Sequence, residues 1–192
     1  MDECLDGNSD AQEDKIKILG IAMDHLDKAA LGGAIGAMLK MGKIYDRGID
    51  DLIEPDDEKA FYYYKMAADA DDYRGYRYCG ICYEEGRTAH QNFERAREMY
   101  DRAYCEQFCH KDWPDEEISF RLGRMLYHGL GGQADKERGE MLMEEAIREP
   151  FEYKRRSEEE VKLLMKKWGI KRLVLEEEDI LYTWGFPDGM GD

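Results

Sequence analysis

At 192 residues and 43% hydrophobic content, the chain suits one domain or a short array of units and can bury a core, which excludes wholesale disorder despite a 38% charged fraction. The formal net charge of −16 excludes the basic footprint that generic nucleic-acid binding requires. Only four prolines, abundant Ala, Leu, Met, Glu, Lys and Arg, and no run of alternating β-branched residues predict an all-α fold.

In chain order, the first segment is acidic. Residues 1–14, "MDECLDGNSDAQED", carry Asp2, Glu3, Asp6, Asp10, Glu13 and Asp14 without a compensating base. They are read as a flexible segment and lack the basic-then-apolar layout of a secretory signal. No apolar run approaches the ~18 to 20 residues needed to span a bilayer. Five cysteines, an odd number without small-scaffold spacing, fit reduced thiols and a cytoplasmic location.

A repeat organises the next part. "MGKIYDRG" at 41–48, "CGICYEEG" at 79–86 and "LGRMLYHG" at 122–129 align without gaps, each with glycine second and eighth. The first glycines, Gly42, Gly80 and Gly123, fall inside predicted helices, where glycine costs roughly 1 kcal/mol against alanine. Close approach of a neighbouring helix offsets that cost. The last glycines, Gly48, Gly86 and Gly129, stand where a helix ends in a left-handed residue. A second block follows each: "KAFYYYKMAA" (59–68), "RAREMYDRAY" (95–104) and "RGEMLMEEAI" (138–147). Small residues recur seven apart in it, as Ala60 and Ala67, Ala96 and Ala103, and Gly139 and Ala146. The block also precedes the first copy as "IAMDHLDKAA" (21–30), with Ala22 and Ala29 in register and His25 at the aromatic place. Alanines seven apart share one helix stripe and permit close packing. Each unit is therefore helix, turn, helix.

These paired blocks resemble the Sel-one-like repeat, a relative of the tetratricopeptide repeat, whose first helix carries LGxxYxxG and whose second carries KAxxWYxKAA. The resemblance covers about residues 20–148. It implies a short right-handed α/α solenoid of stacked helical hairpins: a leading half-repeat plus three repeats over 15–149, an N-terminal segment 1–14, and a C-terminal region 150–192. Copy three departs most, with Gly139 for alanine and no aromatic pair.

The remaining motifs yield to this frame. Cys79 and Cys82 look like a metal or redox pair, yet they occupy the places of Met41 and Leu122, and of Ile44 and Met125. They are read as core residues, since free cysteine behaves as a small hydrophobe. Zinc held by Cys79, Cys82, Cys105 and Cys109 is the alternative, weakened by irregular spacing. The four histidines, His25, His90, His110 and His128, are scattered without a nucleophile, and "GLGG" at 129–132 reads as a turn. The sequence predicts no enzyme and no cofactor. "SEEEVKLLMKKW" (157–168) opens with a capping box, Ser157 with Glu160, and aligns Val161, Leu164, Met165 and Trp168 on one face. It is expected to cap the array's apolar end.

Helical angles at ~100° per residue place Met38, Met41, Gly42 and Tyr45 on the packing side of the first helix. The opposite stripe holds Leu39, Lys43 and Asp46, then Arg74, Arg77, Ile81 and Glu84, then Phe120, Arg124 and Tyr127. Its four cations on an acidic chain predict a groove for an acidic or C-terminal-carboxylate peptide segment. The competing reading is that these arginines pair with carboxylates of adjacent helices. The resemblance implies a noncatalytic scaffold or adaptor with a protein or peptide partner, acting as monomer or homodimer, without direct nucleic-acid or membrane contact. Two alternatives from other classes are an acidic inhibitor that mimics nucleic acid, and a zinc-dependent structural module.

Overall fold

The computed structural model describes residues 7–87, 90–109 and 115–148, with side chains from residue 12 to residue 146 outside those gaps and the end of the fifth helix. The C-terminal region 150–192, including the predicted cap at 157–168, lies outside the described residues. Seven helices follow in order among them: α1 (Gly7–Leu31), α2 (Ile35–Arg47), α3 (Asp57–Asp69), α4 (Tyr73–Glu85), α5 (Phe93–Cys109), α6 (Glu116–His128) and α7 (Lys136–Arg148). No strand occurs among the described residues; a single bridge, Ile49 to Ile53, closes the turn after α2. The chain is an all-α repeat solenoid. α2 with α3, α4 with α5, and α6 with α7 are the three predicted hairpins, and α1 is the leading half.

Local chemistry sets the helix boundaries. Asp56, Asp72, Asn92, Asp115 and Asp135 each accept a hydrogen bond from a backbone N–H two or three residues on. Such a cap satisfies donors that the first helical turn leaves without partners, and each contributes about 1 kcal/mol. At the other ends, Gly86 and Gly129 adopt the left-handed conformation, as the repeat predicted. Gly48 departs from it. Its φ of 71° is positive but its ψ is −176°, because the chain leaves α2 extended into the bridged turn. There Asp56 donates its N–H to the Tyr45 carbonyl at 2.7 Å.

The interior glycines meet equivalent neighbours in all three hairpins. A methyl on Gly42 would overlap the Tyr64 ring, and one on Gly80 would sit 2.6 Å from Cε1 of Tyr100. On Gly123 it would lie 2.8 Å from the Gly139 carbonyl oxygen and 2.9 Å from Cγ of Met143. Tyr64, Tyr100 and Met143 hold the same place in the second block. The alanine stripe is interior too: Ala60, Ala67, Ala96, Ala103 and Ala146 are all buried. Cys79 and Cys82 are each 2% exposed and fill the core beside Met41, while Leu122 and Met125 do the same one repeat later.

Candidate functional site

The first helices of the hairpins, α2, α4 and α6, border a cleft of about 290 Å³. α2 lends Asp46 and Arg47, α4 lends Arg77, Tyr78, Ile81, Cys82 and Glu85, and α6 lends Glu117 and Arg121, with Tyr64 and Arg87 completing the lining. Four arginines thus face three carboxylates, a slight basic excess on a chain of net charge −16.

Most of these charges are already paired. Arg77 donates to Asp115 at 2.8 Å and Glu117 at 3.3 Å, and its guanidinium stands 4.6 Å from the Tyr78 ring centre. Tyr78 in turn stacks on Tyr64 at 4.3 Å, so a guanidinium and two rings form one layered floor. Burial opposes the charge of Arg77, but Asp115 and Glu117 keep its pKa above the ordinary value. Arg87, just past the capping Gly86, reaches back to Asp46. Glu84 is 7% exposed and accepts from Tyr100 at 2.7 Å and Arg121 at 2.8 Å, with Arg124 on its other oxygen.

The partners in these pairs are spaced by one repeat. Arg77–Asp115, Arg87–Asp46 and Arg121–Glu84 are separated by 38, 41 and 37 residues. Second helices obey the same rule, with Tyr104–Glu145 at 41 and Arg138–Asp101 at 37. The ladder ties each repeat to the next. A buried charge is tolerated only with such partners.

This arrangement revises the predicted groove residue by residue. Leu39 and Phe120 are each 6% exposed and belong to the core, and Glu84 is the buried hub just described. The single-helix angles misplaced them because α2, α4 and α6 each pack on both the preceding and the following helix, which widens the buried arc of each. Arg74 folds back on Asp72, donating at 3.0 Å and 2.8 Å, and so belongs to the cap of its own helix. Asp46, Arg77 and Ile81 do meet around the cleft. Lys43 is exposed, 5.7 Å from the Tyr78 ring centre. Tyr127 is half-buried with Lys136 over its ring at 5.8 Å, and Arg124 sits on Glu84. Sequence reasoning missed Arg47, Tyr78, Arg87, Glu117 and Arg121. An Arg or acid offset by one repeat period is the signal that would have found the last three.

Among the described residues, Lys43 and Arg47 make no ion pair. Arg47 lines the α2 side of the cleft, and Lys43, one turn earlier, lies against its Tyr78. The cysteines offer no chemistry of the same kind. Burial pushes the Cys82 thiol up to about 12 and raises Cys79 as well, so neither is a thiolate at neutral pH. Cys105 is exposed on α5, the Cys109 side chain lies outside the described residues, and no metal-holding group of His, Cys, Asp or Glu occurs among those described. No described helix is long and apolar enough to cross a membrane.

A family model described as Sel1 repeat matches residues 35–72, 75–107 and 119–150, one match to each hairpin. No match was found among curated proteins. Among solved structures, a Sel1 repeat protein from Oxalobacter formigenes is similar at a TM-score of 0.57 and 22% identity, over 77% of this chain and 98% of that one. Cysteine-rich protein B of Helicobacter pylori gives 0.47 and 21%, over 68% and 92%. A protective antigen of uropathogenic Escherichia coli with an SLR fold gives 0.41 and 21%, over 65% of this chain and 32% of that one. With consecutive family matches over more than half of its length, each on an observed hairpin, the chain belongs to the Sel1 repeat family.

Proposed function

We propose that this protein is a noncatalytic scaffold whose cleft between α2, α4 and α6 takes a carboxylate-bearing peptide segment of a protein partner. Sel1 repeat arrays generally serve protein interactions, which supports the broad class. The observation that carries the finer reading is the α2 edge of the cleft. Arg47 stands exposed in the lining and Lys43 one turn before it, against the Tyr78 ring, both without an ion pair among the described residues and close to the half-buried Ile81. A peptide carboxylate would meet two cations that no carboxylate of the described residues neutralises, and an apolar flank would rest on Ile81. Arg77 and Arg121 act differently: bound to Glu117 and its neighbours, they shape the floor.

The test is a charge reversal of Lys43→Glu with Arg47→Glu, both at exposed positions. Binding to an array of acidic peptides with free C-termini, read by fluorescence anisotropy, should weaken by about tenfold or more while helicity by circular dichroism stays constant. Undiminished binding in the double variant, or an array on which no peptide binds, would remove the reading.

A further inference from the structure

The three complete hairpins bury the small-residue stripe of their second helix; α1 does not. Ala60, Ala67, Ala96, Ala103 and Ala146 are 0 to 2% exposed, whereas Ala22 and Ala29, in the same register, are exposed. The third hairpin shows what ordinarily covers this place. A methyl on Gly139, at the register of Ala22, would lie 2.7 Å from the Tyr127 nitrogen and 2.8 Å from the Gly123 carbonyl oxygen of α6. The cover is therefore the helix that precedes in the same hairpin, and α1 has no such helix among the described residues. Its other side is occupied: Met23, Leu26 and Ala30 pack into the core against α2. Half of α1 is thus engaged as in every repeat, and half is bare.

The bare half carries an apolar centre, with the exposed Lys15 preceding it on the same stripe and the Asp24–Lys28 ion pair beside it. Ile18 is 67% exposed and Ile21 61%, the two most exposed large hydrophobic residues among those described apart from Leu31 at the helix end. Ile18, Ala22, His25 and Ala29 follow at spacings of four, three and four, the seam of two-helix packing. The seam is also complementary to itself. With a two-fold axis between Ala22 and His25, an antiparallel copy sets Ile18 over Ala29 and His25 over Ala22, each bulky chain against a small one. Self-complementarity of one patch is what a two-fold interface demands.

We infer that the bare half of α1 is a self-association surface, and that two copies of the chain dimerise through it with their α1 helices antiparallel. A helix of 25 residues is only ~37 Å long, and one face of it buries less than the ~800 Å² per partner of a standard interface. The dimer is accordingly concentration-dependent. Two chains of net charge −16 repel, so added salt strengthens it.

Sedimentation equilibrium of the full chain over two decades of concentration tests this. The mass should rise from monomer to dimer, at lower concentration in higher salt. Ile18→Glu should weaken association by about tenfold or more with unchanged helicity, since the position is exposed. Ala29→Phe separates a fitted seam from unspecific stickiness: it adds apolar surface yet blocks the close approach, so it should also favour monomer. Tyr62→Glu, at a 52% exposed site on α3, should change nothing. Monomer mass throughout, a dimer indifferent to Ile18→Glu, or a dimer strengthened by Ala29→Phe would each overturn the inference. Binding of the α1 face to a different protein by monomeric chain would do so as well.

Discussion

In the second hairpin a tyrosine ring fills the notch that a glycine leaves; in the third, two glycines bring backbone against backbone. Tyr100 is fully buried, its ring edge against Gly80 and its hydroxyl on Glu84. At the corresponding place the third hairpin has Met143, half-buried, while Gly139 replaces the usual alanine and lies against Gly123. The difference teaches that the repeat requires a volume, not a residue. Where the large partner is lost, the small one shrinks further and the helices close up. The departure of copy three from its sisters is thus compensated within the same pair of positions.

Removing the large partner should therefore separate the hairpins most. Tyr100→Ala deletes a buried ring and leaves Glu84 with its two arginines alone, which should destabilise by about 3 to 5 kcal/mol in urea unfolding. Met143→Ala, at a half-buried site, should cost less, about 2 kcal/mol. Equal losses would mean that the third hairpin depends on its methionine as the second depends on its tyrosine. A smaller effect is expected at the glycines, and there the order reverses. The obstacle to Gly80→Ala is a side-chain ring, whereas that to Gly123→Ala is the carbonyl oxygen and backbone of α7. Alanine gains roughly 1 kcal/mol of helix propensity at either site. Gly123→Ala should still lose about 2 kcal/mol through overpacking, and Gly80→Ala less, by thermal or urea unfolding. A larger loss at Gly80 would show that the buried Tyr100 ring is as immovable as backbone.

These small-residue notches are why so much of the fold was legible. A glycine inside a helix, or an alanine pair seven apart, is a strong one-position signal that recurs at the repeat period. Cys79 and Cys82 could be assigned to the core from register alone, because Met41, Leu122 and Met125 stand in their places. The cleft was less legible. Arg77 and Arg124 were visible as cations, but their partners Asp115 and Glu84 lie about one repeat away, so a stripe drawn on a single helix could not discount them. Leu39 and Phe120 were misplaced for a related reason: a helix with neighbours on two sides hides more of its circumference than its own angles suggest. The same ladder alters what a groove mutation measures. Glutamate at Arg77 would face Asp115 and Glu117, so lost binding there would report a damaged fold, whereas Lys43 and Arg47 report the surface.

The hairpins differ last in how their first helices are capped. Asp115 at the start of α6 accepts from Arg77 of the preceding repeat, while Asp72 at the start of α4 pairs with Arg74 of its own helix. The donors to Asp72 thus come from its own helix, and its titration reports on that cap. Burial by itself would raise the Asp72 pKa. The Arg74 guanidinium and the backbone N–H groups of Arg74 and Gly75 more than offset it, holding the carboxyl below its ordinary 3.8. A depressed folded value means that the contribution is complete above 3.8 and is lost as the pH falls through the folded pKa. Asp72→Asn keeps a capping oxygen but removes the titration and the ion pair. Its stability at neutral pH should fall by no more than about 1 kcal/mol, the scale of one cap. Its stability should also decline less steeply than the parent's below 3.8. Parallel acid profiles for the two proteins would show that the Asp72 cap does not carry the acid sensitivity of the array.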